Sequence, residues 1–203
     1  MKKIAVLASG SGSNLQALID QVHGQEGLIA VVLSNRQNAY ALERARKANI
    51  PAVFADRKQS AHDSEYDQKI LQILQAHDVE AVVLAGYLRI LTPILIDAYK
   101  NKIINIHPSL IPSFCGDGYY GMRVHQAVYD SGVKVTGATV HFVDSGVDTG
   151  PIILQQAVSL TGREQPEEIA AKVLEIEHGL LVEAVKLFLT DQIEIVQRRT
   201  IIR

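Results

Sequence analysis

Residues 81–85, Ala-Val-Val-Leu-Ala, are apolar at every position in a chain whose charged content is 21%. A strand with one face in water alternates polar and apolar side chains, because successive residues point to opposite faces. A run with no polar position is therefore a strand covered on both sides, the kind found in parallel sheets between helices. Similar runs stand at 3–8, 28–33 and 52–54. Between them lie segments of helical period at 14–21, 39–48 and 66–76, the last repeating Ile70, Leu71 and Leu74. This alternation predicts an α/β fold with a single domain over 1–203, a Rossmann-like and mostly parallel sheet flanked by helices. The 203 residues suffice for one sizeable core.

The pattern continues with a helix at 93–99, its proline in the first turn, and a strand at 102–107. Residues 108–121 then hold two prolines, three glycines and adjacent tyrosines without a usable period, and read as a long loop of the functional kind. A helix at 124–129, strands at 134–143 and 151–158, and a long helix at 167–189 follow. The tail at 193–202 alternates weakly and reads as a hairpin or an edge strand.

Composition narrows the function. A net charge of −2 gives no basic footprint, so nucleic acid is not expected as a partner. Cys115 is the only cysteine, which excludes an intramolecular disulfide and a multi-cysteine zinc site. Seven histidines show no close ligand pairing, so no metal centre is expected and each reads as a singly satisfied side chain. His141, on the strand face of Thr139 and Val143, suits a supporting role. No stretch is apolar enough to span a bilayer and the N-terminus lacks a signal-peptide core, so a cytoplasmic protein is expected.

Chemistry concentrates in four places. Asn105 and His107, two apart on a strand that Pro108 ends, share one face at its carboxyl end, where open α/β sheets bind ligands. An amide beside an imidazole can stabilise an oxyanion and move a proton, the requirements of acyl transfer. Ser9-Gly10-Ser11-Gly12-Ser13-Asn14 joins the first strand to the first helix as a phosphate-binding turn does. Leu15 stands where a dinucleotide fingerprint needs a small residue, and no acidic residue closes the second strand, so a phosphate monoester fits better than NAD; the alternative is a plain turn. Asp144 and Asp148 in the loop 144–150 either cap their own turns or, at Asp148, orient His107. Gly86 to Leu91 closes another strand, with Leu88, Ile90 and Leu91 as walls for a flat heterocycle.

The segments ASGSGSNLQALI, VVLAGYLRIL, INIHPSLIPSF, GATVHFVDSGVDTGPII and LEIEHGLL together resemble the phosphoribosylglycinamide formyltransferases. These form a branch of the family that takes formyl groups from 10-formyltetrahydrofolate. The resemblance spans essentially the whole chain. It implies formylation of the glycinamide ribonucleotide amine in de novo purine biosynthesis, with 10-formyltetrahydrofolate as co-substrate. By the same resemblance Gly12, Ser13 and Asn14 hold the 5′-phosphate and Glu177 the ribose hydroxyls. Leu88, Arg89, Ile90 and Leu91, with Asn105, Asp144 and Asp148, line the folate site, and Asn105, His107 and Asp148 form the catalytic set. A protonated His107 and Asn105 would stabilise the tetrahedral oxyanion, with Asp148 favouring the imidazolium. The partners are these two small molecules, acting on a monomer or weak homodimer.

Two stretches depart from the family. Residues 114–121 are longer than the usual P-G-x-H connection, and 61–66 lack a basic residue that meets folate, leaving Arg57, Lys58 or His62 as substitutes. Two enzyme alternatives are disfavoured. Formyltetrahydrofolate hydrolysis in relatives goes with an extra N-terminal domain, for which a first strand at residue 3 leaves no room, and methionyl-tRNA formylation goes with a C-terminal tRNA-binding domain. A nucleotide-binding module without catalysis would leave Asn105, His107 and Asp148 without a task.

Overall fold

A computed structural model describes all 203 residues. Strands β1 (Lys2–Leu7), β2 (Gly27–Ser34) and β3 (Ala52–Phe54) are joined by helices α1 (Ser13–Gln21) and α2 (Tyr40–Lys47). A 3-10 turn at Arg57–Gln59 leads to α3 (Asp63–Ala76), β4 (Ala81–Leu84), α4 (Pro93–Ala98) and β5 (Ile103–His107). Then come α5 (Met122–Ser131), β6 (Val135–Phe142), β7 (Ile152–Ser159), α6 (Pro166–Leu189) and a terminal hairpin, β8 (Ile193–Val196) with β9 (Arg199–Ile202).

All nine strands form one sheet in the order β3-β2-β1-β4-β5-β6-β7-β9-β8. Pairings from β3 across to β5 are parallel; β5–β6 and β6–β7 are antiparallel. The chain winds outward from β1 through β2 to β3, then crosses back to β4 on the other side of β1. Right-handed crossovers place helices on opposite faces when the winding reverses. Accordingly α1, α2, α5 and α6 pack with Ile4, Val6 and Ala8 on one face, and α3 and α4 with Ala5 and Leu7 on the other. Residues 81–84 are all buried, as the uninterrupted apolar run requires. Each fully buried side chain such as Leu15, Leu18 or Ile70 contributes about 1.5–3 kcal/mol.

The element boundaries lie close to those expected, with two instructive exceptions. α3 begins at Asp63 rather than 66, because Asp63 and Glu65 favour the positive end of the helix dipole before the apolar period starts. α5 extends beyond 124–129 to Met122–Ser131, its added ends being exposed residues that periodicity does not register. α6 opens with a reciprocal cap between Gln165 and Glu168 and with Pro166 in its first turn. The tail is the hairpin, outermost in the sheet.

Candidate active site

The reversal of winding leaves a crevice at the carboxyl ends of β1 and β4, and the side chains that follow them converge there. Ser9 ties the crevice together. Its N–H donates to the Gly86 carbonyl at 3.0 Å, its Oγ donates to Asn35 Oδ1 at 2.6 Å, and that Oγ accepts the Leu88 N–H at 2.9 Å. The ends of three strands are thereby fixed by one hydroxyl, a role the sequence reading did not assign.

A cavity of about 550 Å³ opens from this crevice. Its lining includes Asn14, Leu88, Arg89, Ile90, Leu91, Asn105, His107, Asp144, Asp148 and Glu177. The Ser/Gly loop contributes Ser11 and Asn14 to this lining. Gly12 adopts φ +72°, and a Cβ there would lie 2.8 Å from Ala41 Cα, so the turn admits only glycine without displacing α2.

Asn105 and His107 do lie on one face of β5, opposite His141 and Thr139 of β6. His141 Nδ1 donates to the Phe142 carbonyl at 2.8 Å, and its Nε2 lies 3.1 Å from the Asn105 Nδ2. The Asn105 carboxamide is thus oriented by a buried imidazole, in keeping with the supporting role expected of His141. His107 Nε2 lies 2.9 Å from the Phe114 carbonyl, and Nδ1 lies 3.4 Å from Asp148 Oδ2. Both ring nitrogens therefore face acceptors, an arrangement that suits the imidazolium. Burial opposes it and is the larger influence: the ring is 4% exposed, and its pKa lies below the ordinary histidine value although Asp148 and the Phe114 carbonyl pull it up.

The two aspartates of the 144–150 loop part company. Asp144 Oδ1 accepts the Gly146 N–H at 3.1 Å and the Thr149 hydroxyl at 2.5 Å, so it caps its own turn. Asp148, at φ +56°, instead faces His107 and His141 and accepts the Gly116 N–H at 3.0 Å. Burial alone would raise its pKa, but His141, the charge on His107 and the Gly116 N–H outweigh it and hold the carboxyl below its usual range. The long loop 108–121 therefore touches both members of the His107–Asp148 pair through backbone atoms, at Phe114 and Gly116.

Also in the lining, the Asn14 Nδ2 donates to Glu177 Oε2 at 2.7 Å. Burial raises the Glu177 pKa, and the Asn14 bond only partly offsets this. The Asn14 Oδ1 is buried without a partner. His125, also in the lining, is 6% exposed and its Nδ1 has no partner, which corrects the expectation of a satisfied histidine. Burial, reinforced by His107, lowers its pKa to about 4. Cys115 Sγ donates to the Pro112 carbonyl at 3.3 Å, and burial pushes its thiol pKa up, so it is no activated nucleophile. No cluster of His, Cys, Asp and Glu has three groups placed to hold a metal ion.

Arg89, in the lining, pairs with Asp63 and lies 5.3 Å from the Tyr66 ring. Arg57 Nε donates to the same Asp63 oxygen at 2.5 Å. Of the three basic candidates near 61–66, Arg57 is the one coupled to Arg89.

The family model for formyl transferase matches residues 2–185. The chain belongs to the formyltransferase family, on its phosphoribosylglycinamide branch. The phosphoribosylglycinamide formyltransferase of Haemophilus influenzae is 42% identical over 190 residues, 93% of this chain and 87% of that protein. This formyltransferase superposes on the glycinamide ribonucleotide transformylase 1 of Symbiobacterium toebii with a TM-score of 0.94 and 42% identity, covering 100% of one and 94% of the other. It also superposes on a formyltetrahydrofolate deformylase from Pseudomonas syringae at TM-score 0.89 and 28% identity, covering 99% of this chain but 65% of that one. Coverage of longer relatives is smaller. The chain spans 67% of the chloroplastic phosphoribosylglycinamide formyltransferase of Arabidopsis thaliana, 62% of that of Vigna unguiculata, and 14% of a trifunctional purine biosynthetic protein of Chironomus tentans. No helix is long and apolar enough to cross a membrane.

Proposed function

We propose that this formyltransferase moves the formyl group of 10-formyltetrahydrofolate to the amine of 5′-phosphoribosylglycinamide, a step of de novo purine biosynthesis in the cytoplasm. The observation that carries the reading is that Asn105, His107 and Asp148 line one cavity together with Asn14 and Glu177 and with Leu88, Ile90 and Leu91. The Ser/Gly turn gives it a place for a phosphate, and Glu177 an acceptor suited to ribose hydroxyls. Leu88, Ile90 and Leu91 also line it after the β4 strand end, with Arg89 and Arg57 sharing Asp63. Ile90 is 67% exposed and Leu88 43%, apolar surface that a flat heterocycle such as the folate ring would cover.

The chain's own groups then divide the work. The substrate amine adds to the formyl carbon, and the carbonyl electron pair moves onto oxygen. The Asn105 amide, held by His141, donates to that oxygen, a contribution of the oxyanion-hole kind. The imidazolium form of His107, favoured by the Phe114 carbonyl at Nε2 and by Asp148 at Nδ1, adds positive charge beside that oxygen. Asp148, ionised by its low pKa, takes part in moving the proton from the amine nitrogen to folate N10. The C–N10 bond then breaks as the carbonyl re-forms. No side chain need bond covalently to the formyl group; much of the rate comes from holding two substrates together.

Substituting His107 or Asn105 by alanine tests the assignment. Turnover is expected to fall about 10²–10³-fold, the scale for losing one oxyanion-stabilising donor, with both Michaelis constants changed little. Unchanged turnover would refute the roles. Hydrolysis of the formyl-folate is the second reading, favoured by the superposition on the deformylase. It differs in needing no ribonucleotide.

A further inference from the structure

The Ser/Gly turn owes its shape to α2, and one side chain of that helix holds most of it. The Ala41 N–H donates to the Gly10 carbonyl at 3.2 Å, and Arg44 Nε donates to the Ser11 carbonyl at 2.8 Å. In a planar trans peptide the C=O and the following N–H point in opposite directions. Two consecutive carbonyls drawn onto α2 therefore turn the Ser11 and Gly12 amides away from it, and neither amide bonds a backbone carbonyl. Gly12 seals the same seam by its contact with Ala41. The Arg44 guanidinium also donates through Nη1 to Gln16 Oε1 of α1 at 3.0 Å and packs 4.9 Å from the centre of the Tyr40 ring. One half-buried fork thus joins the loop, the helix it feeds and the helix behind it. The stretch Ser9 to Asn14 contains no cation, so Arg44 is also the charge built against this loop.

We infer that Arg44 is a positioning residue of the phosphate loop, aiming its amides and biasing the site toward phosphorylated amine substrates. The inference rests on the ribonucleotide reading above. A lysine cannot replace it fully, since one ammonium lacks the planar pair of donors that reaches Ser11 and Gln16 together.

The test compares wild type, Arg44→Ala and Arg44→Lys on the ribonucleotide and on its dephosphorylated nucleoside, with formyl-folate saturating. Arg44→Ala is expected to raise KM for the ribonucleotide about 10- to 100-fold, the scale for hydrogen bonds to charged groups. Its kcat, its KM for the folate and its kcat/KM for the nucleoside should stay within about threefold, and Arg44→Lys should recover only part of the loss. The inference is overturned if Arg44→Ala keeps the wild-type preference for phosphate, or loses activity equally on both substrates, as a merely structural residue would. A wild-type enzyme indifferent to the phosphate would overturn the ribonucleotide reading, and the inference with it, before any variant is compared.

Discussion

His125 gives the fold a specific weakness to acid. Burial, with a smaller contribution from His107, brings its pKa from 6.5 to about 4. As pH falls below the unfolded value, the unfolded chain takes up a proton that the folded chain refuses, so stability drains until the folded pKa is reached. At about 1.4 kcal/mol per pH unit the whole window is worth about 3 kcal/mol, and the part between pH 7 and pH 5 about 2 kcal/mol. The ring is 6% exposed, so solvent screening takes little from that figure. His125→Phe and His125→Asn both remove the titration while differing in polarity and shape. Urea unfolding at pH 7 and pH 5 measures the effect. The loss of stability between the two pH values should be smaller in both variants than in wild type, by about 2 kcal/mol. His107 and His178, whose pKa values burial also lowers, remain in all three proteins and cancel from the comparison. An identical pH dependence in wild type and both variants would refute the argument.

Three further outcomes follow from the site. Asp148→Asn removes a charge that raises the His107 pKa, so titration of the His107 ring by NMR should show a still lower value; an unchanged or higher one would contradict the pairing. Gly12→Ala meets both a left-handed backbone and the Ala41 contact, and should cost about 1–3 kcal/mol in urea unfolding while raising KM for the ribonucleotide; unaltered stability and KM would show that the seam is not tight. Glu177→Gln takes a buried charge out of the folded state while keeping an acceptor for Asn14, so it should raise Tm at neutral pH yet weaken ribonucleotide binding. A lower Tm would count against burial as the cause of the raised pKa.

The sequence exposes what side-chain period and chain punctuation encode. Asn105 and His107 are two apart before a proline, which is enough to place both on one face at a strand end. The five uninterrupted apolar residues at 81–85 define a strand with helices on both sides. What stays hidden depends on backbone groups or on distances between elements. Asp144 and Asp148 look alike in one turn-rich loop, and only the folded geometry aims Asp148 at the histidines and turns Asp144 onto its own turn. The loop 108–121 has no period, and its ties to His107 and Asp148 run through the Phe114 carbonyl and the Gly116 amide, which carry no residue-type signal. The helical pattern of α5 marks His125 as buried without revealing that its Nδ1 lacks a partner. Arg44 sits among the charged residues of a short helix and reads as part of a solvated face until its bond to Ser11 is seen.

The central claim is that the amine of the ribonucleotide, rather than water, receives the formyl group between Asn105, His107 and Asp148. The direct measurement is tetrahydrofolate release from 10-formyltetrahydrofolate by the purified protein, with and without glycinamide ribonucleotide, with the formylated product followed in parallel. The account predicts release only when the ribonucleotide is present, matched mole for mole by formylated product. Equal release in its absence, with formate as the product, would contradict the account and make the protein a hydrolase.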